Sequence, residues 1–366
     1  MKRITVLYDG TIYTFRWLSA LLASKKYFAN AGYKICIPGF MHSIRNTRTF
    51  DQLIKQVSED DIVFLAFHPG GSYFTRKHEM LDFLDELHGK CGKIVWLDTS
   101  DSAGTTYFEV LPFVDKYLKK QLYVDLSLYN KDLCRDRLFC EYYSKQANAI
   151  VTEEDSPCNL KILDEDLEKL GISWNVGLGL LFERNKYRFL LNINRQKDYT
   201  VFMEPSLKKQ YDIFYRGSIY NSITGYQRKL AIDAIQKLSC THPDPKQRVS
   251  QKEYDKEILE SKTILSPFGW GEICTRDFET FKNGAVLIKP NMSHLVTYPN
   301  FFIEDNTYIA INWDFDDLNA RLEDVLNDNE QYYRIANNAQ SMYKKALSEE
   351  GKKDFACHVL KEIGER

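Results

Sequence analysis

Between Ser261 and Pro290 the chain reads SKTILSPFGWGEICTRDFETFKNGAVLIKP: an apolar run, the turn Gly269-Trp270-Gly271, a charged segment of helical spacing, and a second apolar run. Glycines let the chain turn tightly and let a ligand come close to the main chain. The helix start that follows offers N–H groups and a positive dipole end, which suit an anion such as phosphate. Arg276 and Glu279 stand three apart and share one helix face. They form either an i,i+3 surface pair or, facing a cleft, a guanidinium for phosphate and a carboxylate for sugar hydroxyls.

Further candidates sit where apolar runs end. Arg216 and Ser218 in FYRGSIYNSITGYQRK close one run, with Arg228 on the helix-like segment beyond, and Lys289 and His294 follow another. Arg216 or Arg228 is placed to neutralise a diphosphate or a sugar acid, or to form a surface salt bridge. In the first half, His68 in FHPGGS, Asp98 and Asp101 in LDTSDSAG, and Asp9 are available to accept a proton. A structural histidine and Asx turns are the alternative readings. The WDFDD stretch contains a D-x-D match, but it lies between a strand and a helix, so Asp314 or Asp316 is expected as an N-cap and no metal is assigned.

These loops need a scaffold, and the chain has the means to build one. Its 366 residues exceed one comfortable core, and 44% hydrophobic with 14% aromatic content can fill two. Strand-like runs (RITVLYD, YKICIPG, DIVFLAF, KIVWLD) alternate with helical segments, and their apolar character through both faces predicts parallel strands covered by helices. The pattern lapses from Val151 to about Gln210, including the basic segment ERNKYRFLLNINRQKDY, and returns with YDIFYRGS, GYQRKLAIDAIQKL, KTILSPFG and AVLIKP. The expected division is residues 1–175 as a Rossmann-like acceptor domain, 176–210 as a connection, 211–345 as a second Rossmann-like domain, and 346–366 as a helix packing back on the first. Ligands in such open sheets bind beyond the carboxyl ends of the strands, so two sheets facing each other enclose a cleft.

Forty-nine basic and fifty-one acidic residues give a formal net charge of -2, which lacks the electrostatic footprint of a protein holding nucleic acid through many phosphates and leaves room only for a local basic patch, so no nucleic-acid partner is expected. The basic start MKRITVLYDG has too short an apolar run for a signal peptide, and no stretch nears the length of a membrane helix. Eight cysteines without a C-x-x-C read as free thiols, and the expected location is the cytoplasm, with peripheral contact at the inner face of a membrane allowed.

The segment GWGEICTRDFETFKNGAVLIKP resembles the nucleotide-sugar-binding segment of GT-B glycosyltransferases (glycosyl transferase group 1), in particular the exostosin-like and CgeB-like branches, with Arg276, Glu279 and Gly284 on the matching positions. The resemblance covers residues 260–330, extends back to YDIFYRGS, and is architectural in the first half. It implies an α/β GT-B fold and a transferase moving a sugar from a nucleotide-sugar donor to a hydroxyl of a glycan or glycolipid, in surface polysaccharide synthesis, with no cofactor and no metal. Arg216, Ser218, Trp270, Gly271, Arg276, Glu279, Lys289 and His294 would then bind the donor, and Asp98, Asp101 or His68 would supply the base. The pair of glutamates with seven residues between them that retaining members carry is interrupted here, because Gly271 occupies the first position and Glu272 stands one place off. Inversion and retention both stay open. A two-lobed sugar- or nucleotide-binding protein, or a GT-B-shaped epimerase, would share this architecture, whereas a nicotinamide enzyme would need a G-x-G-x-x-G that the chain lacks.

Overall fold

The computed structural model describes residues 1–38, 49–68, 76–146, 151–179, 201–220 and 222–365. The basic segment at 183–199, and with it most of the expected connection, lies outside the described residues.

The first half contains strands β1 (Lys2–Tyr8), β2 (Tyr33–Cys36), β3 (Ile62–Ala66), β4 (Lys93–Asp98), β5 (Lys116–Lys119), β6 (Gln121–Tyr123) and β7 (Leu170–Ile172). Six of them form a parallel sheet in the order β2-β1-β3-β4-β5-β7. Side chains on a strand alternate between faces, so β1 sends Ile4, Val6 and Tyr8 to one core and Leu7 to the other. The helix Ile12–Ala23 covers the first face with Phe15, Leu18 and Leu21. The helix Lys77–His88 covers the second with Met80, Phe83, Leu84 and Leu87. All five residues of β3 are therefore buried. The strand order reverses between β1 and β3, and the loops carrying Asp9 and His68 leave the carboxyl ends of these two strands.

The second half adds β8 (Tyr211–Phe214), β9 (Ser261–Leu265), β10 (Val286–Pro290), β11 (Leu295–Thr297) and β12 (Ile309–Ile311). Four are parallel in the order β12-β10-β9-β8. Ile213, Leu265, Ile288 and Ile309 meet the helices Ile223–Gln236 and Leu318–Asn327 on one face. On the other, Phe214 and Ile264 meet Ile258 of the helix Gln251–Leu259, while Leu287 and Ala310 meet Phe278 and Phe281 of the helix Thr275–Lys282. Both sheets are thus Rossmann-like layers with helices on each side.

The halves are joined by exchange. The short helix Leu138–Ser144 leaves the first half and buries Phe139, Cys140 and Tyr143 in the core of the second sheet. The helix Glu349–Glu362 does the reverse, placing Phe355, Ala356, Val359 and Leu360 against β1, β3 and β4. It is separated from the preceding helix Asn329–Leu347 at Ser348, whose Oγ accepts from the Gly351 N–H as an N-cap. β6 and β11 pair antiparallel across the two halves, Leu122 opposite Val296. Because Leu360 is fully buried in the core of the first sheet, Leu360→Ala is expected to cost about 2–5 kcal/mol. Urea unfolding followed by tryptophan fluorescence measures this, and a loss below about 1 kcal/mol would show that this helix is peripheral to the core.

Candidate functional site

Beyond the carboxyl ends of β8 and β9 the second sheet opens into a cavity of about 670 Å³. Tyr215 and Tyr254 form aromatic walls, Gly217, Ser218 and Gly269 bring main chain to the edge, and Thr275 starts a helix at the floor. Among the described residues five cationic side chains line it, Arg216, Arg228, Lys246, Arg248 and Arg276, and no carboxylate does. Arg276 lies over the Tyr215 ring at 5.0 Å, donates from Nη2 to the Arg216 carbonyl at 2.5 Å, and keeps a buried Nε without a hydrogen-bond partner. Glu279 accepts from the Tyr254 hydroxyl at 3.2 Å. Tyr254 thus occupies Glu279, and no Arg276–Glu279 ion pair occurs among the described residues. Gly284, the third residue of the motif, ends the helix at φ +59°, a left-handed conformation suited to glycine, and a Cβ there would lie 2.4 Å from the Met203 carbonyl oxygen.

Arg228 packs its guanidinium 5.0 Å over the Tyr220 ring and donates to the Ser218 carbonyl. Tyr220 and Trp270, 45% and 50% exposed, stand with ring centroids 6.2 Å apart. The turn at Gly271 then reaches the other half: a Cβ on Gly271 would lie 1.7 Å from the Asp101 carbonyl oxygen, so only glycine permits this approach. The next residue, Glu272, is fully buried. Its carboxylate accepts from Ser102 Oγ at 3.0 Å, the Ala103 N–H at 3.0 Å and Gln121 Nε2 at 3.3 Å.

Directly across this seam, Asp101 Oδ1 accepts from the Tyr13 hydroxyl at 3.0 Å and from Lys120 Nζ at 3.2 Å. Its side chain is 42% exposed. Burial pushes the carboxyl up, but Lys120 and the Tyr13 hydroxyl outweigh it, so Asp101 titrates below the usual carboxylate range. His68 meets the Tyr13 ring edge-on at 5.2 Å, and its backbone N–H donates to Asp9 at 2.7 Å. Asp9 itself is buried and also accepts from Thr11 and Thr14, which makes it an anchor of its loop.

Four of the expected site residues are corrected by these contacts. Asp98 is not at the surface: Oδ1 accepts from Ser100, and Oδ2 accepts from Tyr117 and Lys119 at 2.6 Å each. Burial raises its carboxyl while Lys119 lowers it further, and the buried pair leaves no lone pair for a substrate. Arg216 borders the cavity, but its guanidinium is taken up within the fold: Nε and Nη2 clamp Glu257 and Nη1 holds the carbonyls of Asp244 and Gln247. Lys289 is fully buried and pairs with Asp277 at 3.2 Å. His294 is enclosed by Tyr123, Phe268 and Trp313, and burial depresses its pKa so that the ring stays neutral. The D-x-D stretch also differs from expectation. Asp317 is the N-cap of Leu318–Asn327, and Asp314 accepts from the Asp316 N–H in a local turn.

Of the expected donor residues, the structure places Ser218 and Arg276 on the cavity wall, Trp270 beside Tyr220, Gly271 against the Asp101 loop and Glu279 behind Tyr254, while Asp101 and His68 both meet Tyr13 in the other half. Tyr13, Lys120, Lys246 and Arg248 had no signal in the sequence, because none belongs to a spaced pattern and only the strand order places them. Among the described residues no group of three His, Cys, Asp or Glu side chains is arranged to hold a metal ion, and no helix is long and apolar enough to cross a membrane.

No protein-family model matches the chain, and no curated protein matches it. Among solved structures it is similar to an alpha-glucosyltransferase in complex with UDP, at 11% identity over 98% of this chain and 100% of that one, with a TM-score of 0.45. It is also similar to a glycosyltransferase from Rickettsia africae ESF-5, at 11% identity over 99% of this chain and 98% of that one, with a TM-score of 0.48. A third, from E. coli and bound with UDP-2-fluoro glucose, is 12% identical over 100% of this chain and 99% of that one, with a TM-score of 0.45. Likeness at this level assigns no activity, ligand or residue role to this chain.

Lys289 supplies a test of the division between anchors and ligand-facing groups. Lys289→Met would strand the fully buried Asp277, so a loss of about 3–5 kcal/mol in urea unfolding is expected. Unchanged stability with weakened ligand binding would instead return Lys289 to the site.

Proposed function

We propose that this chain is a GT-B glycosyltransferase that moves a sugar from a nucleotide-sugar donor to a hydroxyl of a glycan or glycolipid acceptor. The observation that carries this reading is a cationic, carboxylate-free cavity at the carboxyl ends of β8 and β9 whose glycine turn touches the loop of Asp101 in the other half. The second half is the donor side and the first half the acceptor side. Arg276, with its unpartnered Nε, and Arg228 face the diphosphate, the start of the helix Thr275–Lys282 adds its dipole, and Trp270 borders the donor. Ser218, on the cavity wall, is placed for a hydroxyl group, while Glu279 lies behind Tyr254 and orients its ring.

In the transfer, the acceptor oxygen bonds to the anomeric carbon as the bond from that carbon to the phosphate oxygen breaks. The acceptor proton passes to Asp101, whose Oδ2 takes no hydrogen bond from the described residues, and the charge left on the diphosphate is met by the arginines. Tyr13 and Lys120 hold the other Asp101 oxygen and so fix its orientation. The charge on the leaving group is met by side chains and a helix end, so the reaction proceeds without a metal ion. Work on a growing surface polysaccharide at the inner face of a membrane fits the absence of a spanning helix among the described residues.

Two predictions follow from these roles. Arg276→Ala is expected to raise the dissociation constant of the preferred nucleotide, found by a thermal-shift screen of UDP, GDP, CMP and dTDP, at least about tenfold, or about 1.4 kcal/mol. A folded variant with unchanged affinity removes the cavity from the donor role. Asp101→Asn, assayed in excess EDTA, is expected to keep nucleotide binding and lose about a hundredfold or more in turnover against a wild type that stays active in the chelator. The pH dependence separates Asp101 from His68. A base with a depressed carboxyl pKa keeps kcat/KM level over the whole range in which an ordinary carboxylate is ionised, whereas an ordinary histidine base loses rate below about pH 6.5. Wild-type turnover in Asp101→Asn, or an acid limb near pH 6.5, excludes Asp101 as the base. Abolition of wild-type activity by EDTA with recovery in manganese or magnesium excludes the metal-free mechanism.

A further inference from the structure

The cavity holds more positive charge than a nucleoside diphosphate sugar can balance. Of its five cations, Arg216 is neutralised by Glu257. Arg228, Lys246, Arg248 and Arg276 have no ion pair among the described residues. Other arginines of the chain do meet carboxylates, as Arg3 with Asp61, Arg135 with Asp155 and Arg321 with Asp305 show. A diphosphate diester presents two negative charges, which Arg228, Arg276 and a helix start already meet. Unpaired like charges in a concave wall repel one another until an anion arrives.

The two remaining cations are not on an unsupported loop. Lys246 and Arg248 belong to the segment between the helices Ile223–Gln236 and Gln251–Leu259. Arg216 Nη1 holds this segment by the carbonyls of Asp244 and Gln247, and a buried bidentate pair with Glu257 fixes Arg216 in turn. Pro245 is buried beneath Lys246, and Asp244 Oδ1 accepts from the Lys246 N–H in a tight turn. The carboxylates of Asp244 and Glu253 act on Arg216 and do not line the cavity. A buried ion pair therefore holds two exposed cations at the rim, which is the arrangement of a rigid anion-binding edge.

We propose that the ligand of this cavity carries a third anionic group, beyond its diphosphate, and that Lys246 and Arg248 bind it. The inference rests on the nucleotide-sugar reading of the same cavity and narrows its substrate class. A carboxylate on the transferred sugar, as in a uronic acid, and a phosphate on the ribose share this chemistry. The sugar acid also accounts for a cavity of about 670 Å³, which has room for a sugar beside the nucleotide.

Calorimetric titration of the full chain tests this in whichever base stabilises it most. The arms are UDP-glucuronate against UDP-glucose or GDP-mannuronate against GDP-mannose, and a ribose-3′-phosphorylated nucleoside diphosphate against its parent. The expected result is at least about tenfold tighter binding of the more highly charged member of one pair, with the successful pair identifying the source. In the double variant Lys246→Ala, Arg248→Ala that ratio falls to near one. Both side chains are exposed, so the variant is expected to fold, and its circular dichroism checks this. Nucleotide binding without preference in any pair, or a preference that survives the double variant, overturns the inference and leaves the donor site standing. Failure of every nucleotide to bind overturns both.

Discussion

The contact on which the arrangement depends is the one at Gly271 and Glu272. A missing Cβ lets the main chain of one half lie against the Asp101 carbonyl of the other, and the adjacent carboxylate takes two donors from that same loop and a third from Gln121 of β6. A buried carboxylate is costly unless its lone pairs are used, and here they are. The interaction therefore fixes register: a shift of one residue would put a side chain into the Asp101 backbone and leave Glu272 unsatisfied. The same contact sets how far the cationic cavity lies from Asp101.

Around this seam, three buried ion pairs repeat one device. Asp98 with Lys119, Arg216 with Glu257, and Lys289 with Asp277 each sit at or next to the carboxyl end of a strand. Buried pairs of this kind add little net stability but penalise any conformation that separates them. Each holds a loop whose neighbouring residues face the open space: Asp101 three residues after Asp98, Lys246 and Arg248 on the segment held by Arg216, and Arg276 beside Asp277. Function sits on loops, and the precision comes from the charges beneath them.

That device explains what could be read from the sequence and what could not. Apolar runs ending in glycine or aspartate located β1, β3, β4, β8, β9 and β10 and the loops that leave them, because fully buried parallel strands have no other compositional form. The glycine turn with Arg276 was legible because glycine spacing reports backbone approach directly. The charged residues nearest each strand end, Asp98, Arg216 and Lys289, were misread for a physical reason. A strand-end charge can point along the strand into the open cleft or sideways into the layer between sheet and helix, and spacing does not distinguish the two. His294 failed similarly, since its enclosure by Phe268 and Trp313 depends on residues remote in sequence. Tyr13 and Lys120 come together on Asp101 only through the strand order.

Chain order also differs from spatial order where the halves exchange helices. Phe139 and Tyr143 fill the core of the second sheet, while Phe355 and Leu360 fill that of the first. Tyr143 donates to the Trp313 carbonyl and accepts from Gln227, so the exchanged helix is bonded as well as packed. With the β6–β11 ribbon, reinforced by the Thr297 hydroxyl donating to the Lys120 carbonyl, the halves are tied by three elements besides the contact at Gly271. Separating the sheets as rigid bodies would expose both cores at once, a far larger cost than opening one loop. If the cavity takes the proposed donor, access to it falls to its own rim, where Ser218, Tyr220 and Trp270 are exposed, rather than to a separation of the halves.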